Sequence, residues 1–421
     1  MATPARPGSR LAIWSWALID AGNSAFTLGI MTAFFPILFK DVYAKGLSPA
    51  EGTALLGMFN SISSAVIAVA APILGSIADQ ANGKRAFLMG FTLLGVAACA
   101  GLTMAAEGQY WYAGIVFAIG ALAFSGNNMF YDALITDVTT PDRYDAVSSF
   151  GYGLGYISSV LLFLVNADMV SNPARYGLSD ASAALTVVFL LTGAWWLLFT
   201  LPAMFFVKER PSVPRIGGTG SVLTRGFRQF GATLRELKSQ KNILIFLGGY
   251  MLYIDGVNTV IKMAVDYGKN LGLENAAMIQ ALIVTQVVAF PATIAFGWLG
   301  QRTGARRMIY VGLVVYCGIC LYAFRMTTAA EFKIMAVIVG LVQGGVQALS
   351  RSFFAKLIPE DRSGEYFGFY NMLGKFAAII GPSLLGVSAL LIGSRASILS
   401  LLLLFVAGAI LLSKVREPRR A

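Results

Sequence analysis

Two short runs in this chain place a carboxylate three residues before an amide in otherwise apolar surroundings: Asp255-Gly256-Val257-Asn258-Thr259 and Asp20-Ala21-Gly22-Asn23. A carboxylate halfway along a segment able to cross a hydrocarbon core of about 30 Å costs at least about 2.5 kcal/mol. Each aspartate therefore needs a cation, a proton or water. Counting on from Asp255, Asn258, Thr259, Lys262 and Asp266 follow at steps of three and four, which gives one polar helix face. Asp20 is followed in the same way by Asn23, Ser24 and Thr27. Both runs are expected to face one shared, water-filled path. The chemistry such a path offers is binding of a charged solute and movement of a proton. With no histidine in the chain, that proton chemistry must use carboxylates.

Other polar residues also interrupt apolar stretches. Asn127, Asn128, Tyr131 and Asp132 form one stripe, and Gln343, Gln347, Ser350 and Arg351 form another. Arg351 and Lys375 could bind a solute carboxylate or phosphate, or pair with Asp132 and Asp137 to hold one conformation shut. The similar depths of Arg351 and Asp132 favour a gating pair. Lys262 and Asp266 read as a local pair or as interfacial ends. Asp79, followed by Gly83-Lys84-Arg85, reads as a conformational latch, because a carboxylate before a short loop can cap a neighbouring helix in one of two states. The cysteines Cys99, Cys317 and Cys320 fall in apolar segments, and the Cys317–Cys320 spacing lacks the second pair a zinc site needs. No catalytic residue, metal or cofactor is expected. No phosphate-binding loop is present, which removes nucleotide hydrolysis as an energy source.

The elements that must position these residues follow from composition. The 421 residues are 57% hydrophobic and 13% charged, with a mean hydropathy of +0.70. That is too apolar for a soluble globule and indicates a multi-pass membrane protein. Apolar stretches of spanning length lie at about 12–39, 53–78, 86–106, 111–137, 147–167 and 183–207, then at about 243–268, 277–300, 308–328, 333–357, 366–392 and 396–413. The expected fold is all-α, with twelve transmembrane helices in two pseudo-symmetric six-helix bundles, residues 1–207 and 243–421. Of the 32 lysines and arginines, 22 fall on one side if the N-terminus is cytoplasmic and 7 on the other, so both termini are expected inside. The first apolar run is expected to stay as a membrane helix, being too long for a signal h-region and containing Asp20. The net charge of +11 is spread over loops rather than gathered among exposed aromatics, so no nucleic acid is expected. Residues 208–242 form a hydrophilic linker. It begins with the turn formers Pro211, Pro214, Gly217, Gly218 and Gly220. Leu223, Phe227, Phe230, Leu234 and Leu237 then alternate with Arg225, Arg228, Arg235 and Lys238, which predicts an amphipathic helix on the anionic inner leaflet.

The two halves share landmarks in the same order. Gly75-Ser76-Ile77-Ala78-Asp79 with Gly83-Lys84-Arg85 is matched by Gly297-Trp298-Leu299-Gly300-Gln301 with Gly304, Arg306 and Arg307. Thr140-Pro141-Asp142-Arg143 is matched by Ile358-Pro359-Glu360-Asp361-Arg362. This is the pattern of a transporter built from repeats. At these residues the chain resembles the major facilitator superfamily. Trp16-Ala17-Leu18-Ile19-Asp20 with Asn23-Ser24-Ala25-Phe26, the Asp255 run, and Gly344-Gly345-Val346-Gln347-Ala348-Leu349-Ser350-Arg351-Ser352 resemble its vacuole-effluxer branch, which includes autophagy-related amino-acid exporters and bacterial relatives. Gln301 departs from the pattern by standing where the first copy has Asp79, so the charged latch contacts are expected in the first half.

The resemblance implies that helices 1, 4, 7 and 10 line a central cavity. It also implies alternating access and export of an amino-acid-like solute. The mixed signs of Asp255 and of Arg351 or Lys375 suit a zwitterion. Proton coupling would need at least one carboxylate. Asp255 reads as proton carrier, as binder of a substrate amine or as a structural ion pair or hydrogen bond, and Asp20, closer to the cytoplasmic end, as a functional or a gating residue. The expected partners are a small-molecule solute, membrane lipids and protons, and the protein is expected to act as a monomer in a bacterial inner membrane. The competing readings are a lipid or amphiphile translocase, which would want a more apolar cavity, and a non-transporting receptor, which would not need the Asp79 loop.

Overall fold

The computed structural model describes residues 8–211, 222–270 and 275–417. Among them, twelve helices are long and apolar enough to cross a membrane. They are α1 (Arg10–Tyr43), α2 (Pro49–Ala81), α3 (Lys84–Leu102), α4 (Tyr110–Val138), α5 (Tyr144–Ser171) and α6 (Ala181–Phe206), followed by α7 (Lys241–Asn270), α8 (Asn275–Thr303), α9 (Ala305–Arg325), α10 (Ala329–Leu357), α11 (Ser363–Ile392) and α12 (Arg395–Ser413). Each expected stretch corresponds to one of these helices, with α3 and α9 ending at Leu102 and Arg325, a few residues short of the expected ends, and several helices begin where the sequence supplies a cap. Ser48 and Glu51 exchange side-chain and backbone hydrogen bonds at the start of α2, and Thr328 and Glu331 repeat the arrangement at α10. Asp180 accepts from the Ala183 N–H at 2.9 Å to start α6, and that bond holds its exposed carboxyl below its ordinary range. Asn82 closes α2 with φ at 49°, the left-handed conformation that asparagine tolerates. α1 widens into π turns over Thr27–Phe34 and again over Phe39–Tyr43.

Two seams join the first six helices to the last six, α2 against α11 and α5 against α8. Both use small residues to bring backbones close. Gly75 sits on the Gly364 carbonyl, and a Cβ on Gly368 would lie 2.6 Å from the Pro72 Cα. On the other seam Gly297 packs on Ser149 and Gly153 on Ile294. One apolar core cluster runs through both halves, including Trp16, Tyr131 and Tyr144 from the first and Tyr253, Phe354 and Tyr366 from the second. A second cluster, around Phe26, Phe35, Phe117 and Trp196, belongs to the first six helices alone. Large apolar side chains are exposed on α3 (Leu93), α6 (Leu198 and Phe205), α9 (Val314 and Leu321) and α12 (Leu403 and Ile410), as suits helices that meet lipid.

The linker departs from expectation. Its turn formers from Pro214 to Gly220 lie outside the described residues, while the linker helix runs over Val222–Leu237. Rather than resting only on a leaflet, it docks on the protein at the lysine- and arginine-rich end of the bundle, hereafter the basic end. Gly226 packs on Ile77 of α2, Phe230 stacks on Phe369 of α11 with ring centroids 5.8 Å apart, and Leu237 is buried. The periodic pattern identified an apolar stripe but could not say whether lipid or protein would cover it. Here protein covers Phe230 and Leu237, and Phe227 and Leu234 stay exposed.

Candidate functional site

Arg351 of α10 is the point where most of the candidate residues converge. Its side chain is 1% exposed, and its Nη1 donates to the Asp132 carboxylate of α4 at 3.0 Å. Nε donates to Ser148 Oγ at 2.9 Å and Nη2 to the Ser148 carbonyl at 2.8 Å, so α5 is held as well. The guanidinium carbon lies 4.9, 4.7 and 4.4 Å from the ring centroids of Trp16, Tyr131 and Tyr152. Trp16 and Tyr131 stack with centroids 4.6 Å apart, and the Trp16 indole donates to the Tyr131 carbonyl at 2.8 Å. An arginine desolvated inside an aromatic box retains favourable contact on its faces while its edge makes charge-assisted bonds. Asn371 of α11 donates to the other Asp132 oxygen at 3.2 Å. Asp20 of α1 is also in this cluster, within the electrostatic reach of Arg351 and Asp132, with Ser24 3.5 Å away. Its Oδ2 has no hydrogen-bond partner among the described residues.

Nearer the end of the bundle lies a second set of contacts between the halves. Asp79, at the end of α2, accepts from the backbone N–H groups of Gly364 at 3.1 Å and Glu365 at 2.8 Å. It thereby caps the N-terminus of α11 with a negative charge. Lys84 is buried, donating to Asp137 at 2.5 Å and to Ser363 Oγ at 2.9 Å. Asp137 is thus taken by Lys84, which corrects its expected pairing with Arg351 or Lys375. Arg85 holds the C-terminal turn of α6 through the Met204 and Val207 carbonyls. Gly83 starts α3, and Glu209 accepts from the Lys84 and Arg85 N–H groups that this start leaves free. The second copy of the loop makes a neutral contact instead, Gln301 to the Asp142 carbonyl at 3.0 Å. Asp145 of α5 takes Lys356 and Ser352 of α10, each at 2.6 Å.

Tyr156 of α5 donates to Gln347 of α10 at 3.0 Å across the halves. Asn128, Asn258, Gln347 and Lys375 are half-buried. Among the described residues Lys375 makes no ion pair. Asp255 is fully buried between α7 and α11, with Thr259 3.5 Å away and the Gly381 backbone against it. Its Oδ2 has no hydrogen-bond partner among the described residues. The side chain of Asp266, expected beside Lys262, lies outside the described residues.

Several expected cavity residues turn elsewhere. Asn23 accepts from the Trp196 indole of α6 at 2.7 Å, and Asn127 donates to Thr92 Oγ1 at 2.7 Å and to the Leu88 carbonyl of α3. Gln343 donates to Gln286 of α8 at 3.2 Å and lines a small, mostly apolar pocket with Val260, Met278 and Phe332. Tyr131 is enclosed by Trp16 and Arg351. The two Asp-x-x-Asn runs therefore do not present matching faces to one path. Residues three apart on a helix differ by about 60° in direction, enough to aim Asn23 at α6 while Asp20 meets α5. Sequence reasoning also missed the roles of Ser148, Glu209, Glu365 and the Asp145–Lys356 pair. Glu365 left one signal, standing three residues after Arg362, with which it pairs at 3.0 Å.

A protein-family model described as "Vacuole effluxer Atg22 like" matches residues 8–420. The MFS-type transporter YxiO of Bacillus subtilis (strain 168), itself uncharacterized, is 40% identical over 406 residues, 96% of this chain and 94% of that protein. Autophagy-related protein 22 of Eremothecium gossypii is 22% identical over 437 residues, 89% of this chain and 84% of its own. The match to autophagy-related protein 22-1 of Penicillium rubens, 26% identical, spans 57% of this chain and 43% of that longer protein. Among solved structures, the human organic anion transporter MFSD10 aligns with a TM-score of 0.70 at 16% identity, covering 97% of this chain and 100% of its own. The proton:xylose symporter XylE aligns with 0.71 at 15% identity, covering 97% and 95%. At such identities the likeness is one of fold.

Proposed function

The chain belongs to the vacuole effluxer Atg22-like family of major facilitator transporters, and from that premise we propose that it moves a small polar, zwitterionic, amino-acid-like solute by alternating access. Residues 1–207 and 243–421 are the moving bundles, joined by 208–242. The basic end faces the cytoplasm of a bacterial inner membrane, and no chemical step is catalysed.

The observation that carries this reading is the buried Arg351–Asp132 pair in its aromatic box, because it ties α4 and α5 of one bundle to α10 of the other. Ion pairs that span two bundles at one end exist only while that end is closed, which is the device alternating access requires. The described state is therefore the one shut at the basic end. The substrate class rests on charge: among the described residues one Asp255 carboxylate oxygen accepts no hydrogen bond and Lys375 makes no ion pair, and the two stand on the adjacent helices α7 and α11. A zwitterion supplies an amine to the first and a carboxylate to the second. Proton coupling rests on charge balance, since the Arg351 cluster holds one cation and two carboxyl groups, and a proton carried by Asp20 makes it neutral. A lipid translocase fits less well, because Asn128, Asn258, Gln347 and Lys375 are polar and half-buried, and Gln347 accepts from Tyr156 across the halves. A receptor would have no use for a bridging latch.

Thermal unfolding of the purified protein across amino acids, dipeptides, sugars, nucleosides and lysolipids tests the substrate class. A ligand that binds only the folded protein stabilises it by about 2.7 kcal/mol at a hundred times its dissociation constant. Amino acids are expected to raise the melting temperature of the wild type, and Asp255→Asn and Lys375→Gln are each expected to lose that rise. A rise produced by lysolipids alone, equal in all three proteins, would replace this reading with the lipid one.

A further inference from the structure

The linker helix Val222–Leu237 has one side docked on protein and another exposed. Gly226, Gln229, Phe230, Thr233 and Leu237 lie on one side of the helix and meet both halves. Gly226 packs on Ile77 and Gln229 accepts from Gln80, both of α2. Gln229 also donates to Glu365 at 3.4 Å, Glu236 accepts from Arg362 at 2.8 Å, and Thr233 bonds Arg362, all at the start of α11. The same Glu365 accepts from Ser76 of α2 at 2.9 Å, so the helix lies over the place where Asp79 caps α11.

The adjoining side carries Phe227 and Leu234, 55% and 46% exposed, seven residues apart and so one above the other. Lys238, Arg235 and Arg228 follow around the helix, farther from the docked side, and are exposed too. Large apolar groups beside three cations, at the basic end of twelve membrane-crossing helices, are complementary to an anionic bilayer surface. The rings reach the acyl boundary and the cations meet lipid phosphates. We propose that the linker helix is a lipid-anchored clasp: its Phe227, Leu234, Arg228, Arg235 and Lys238 side binds an anionic lipid surface, and that binding stabilises the conformation closed at the basic end. The inference rests on the alternating-access reading and on the assignment of the basic end to the cytoplasm. Its logic is differential affinity. The inner side contacts α2 and α11 together only when the bundles meet, so a surface that favours the docked helix favours the closed state.

The test reads the closed-to-open ratio from spin labels at positions 143 and 302, in nanodiscs of phosphatidylcholine with or without phosphatidylglycerol. Phosphatidylglycerol is expected to raise the ratio in the wild type by about tenfold. The variant F227S/L234S/R228Q/R235Q/K238Q is expected to lose that response while keeping the wild-type ratio in phosphatidylcholine. Gln229→Ala with Glu236→Gln, on the inner side, is expected to lower the ratio in both lipids. A wild type whose two populations do not respond to phosphatidylglycerol overturns the clasp and leaves alternating access standing, as does a response that survives in the five-residue variant. A single population in every lipid overturns both. Only lipid and this chain are in the disc, so an acidic protein partner cannot produce the expected result.

Discussion

Arg351→Gln is expected to lower transport by at least about 100-fold while the protein still folds. Removing one partner of a buried ion pair costs about 3–5 kcal/mol, because the other charge stays buried and uncompensated. Here that charge is Asp132, which would keep the Asn371 amide as a donor at 3.2 Å. The loss falls on the conformation closed at the basic end, since the Arg351 contacts to Asp132 and Ser148 cross between the halves. At about 1.4 kcal/mol per factor of ten, the balance between conformations moves by two orders of magnitude or more, and the cycle stalls open at the basic end. Arg351→Lys is expected to fail nearly as badly. A single ammonium cannot serve the Asp132 carboxylate, the Ser148 hydroxyl and the Ser148 carbonyl from one plane between three rings. Counterflow in proteoliposomes measures the loss, and a melting temperature near the wild type's shows that the fold survives. Variants transporting within a fewfold of wild type would show that the pair is only structural.

Asp79→Asn is expected to lower transport by about tenfold. The aspartate accepts from the two N–H groups that open α11, and its charge complements the positive end of that helix, an interaction of up to about 2 kcal/mol when partly buried. An amide keeps only one accepting oxygen and turns a donor toward N–H groups that need an acceptor. The substitution also removes a negative charge from beside buried Lys84, whose remaining ion-pair partner is Asp137. The loss is smaller than for Arg351 because the Lys84–Ser363 and Ser76–Glu365 bonds across the halves persist. Gln301→Asp, at the corresponding place in the second half, should change transport little. Among the described residues Gln301 makes a neutral bond to a carbonyl at an exposed site and caps no helix N-terminus. Initial uptake rates for the two variants measured together check the asymmetry.

Hydrophobic length and loop charge were enough to read twelve helices from the sequence, because a chain crossing lipid must satisfy its backbone internally and declares each crossing as an apolar run. The pairing of Arg351 with Asp132 was legible for a related reason: two opposite charges at equal depth in apolar helices have few other partners. Asn23, Asn127 and Gln343 were not legible. A polar residue on a helix states only its own direction within a period of 3.6 residues, and whether that direction meets water or a neighbour depends on other helices. Trp196, Thr92 and Gln286 are those neighbours, distant in sequence and unremarkable in type. The same limit explains the linker helix, whose stripe divides between Phe230 and Leu237 facing protein and Phe227 and Leu234 facing outward. The aromatic box escaped notice because Trp16, Tyr131 and Tyr152 come from three helices, and nothing in their spacing says that they meet around one cation.

The most direct measurement is the distance between spin labels at positions 143 and 302, at the basic ends of α5 and α8, in wild type and in Arg351→Gln. The account predicts a dominant short distance with a minor longer one in the wild type, and the reverse in the variant. One unchanged short distance in both proteins would contradict it, because the bundles would then be joined at that end without help from the pair and would have no second state to reach.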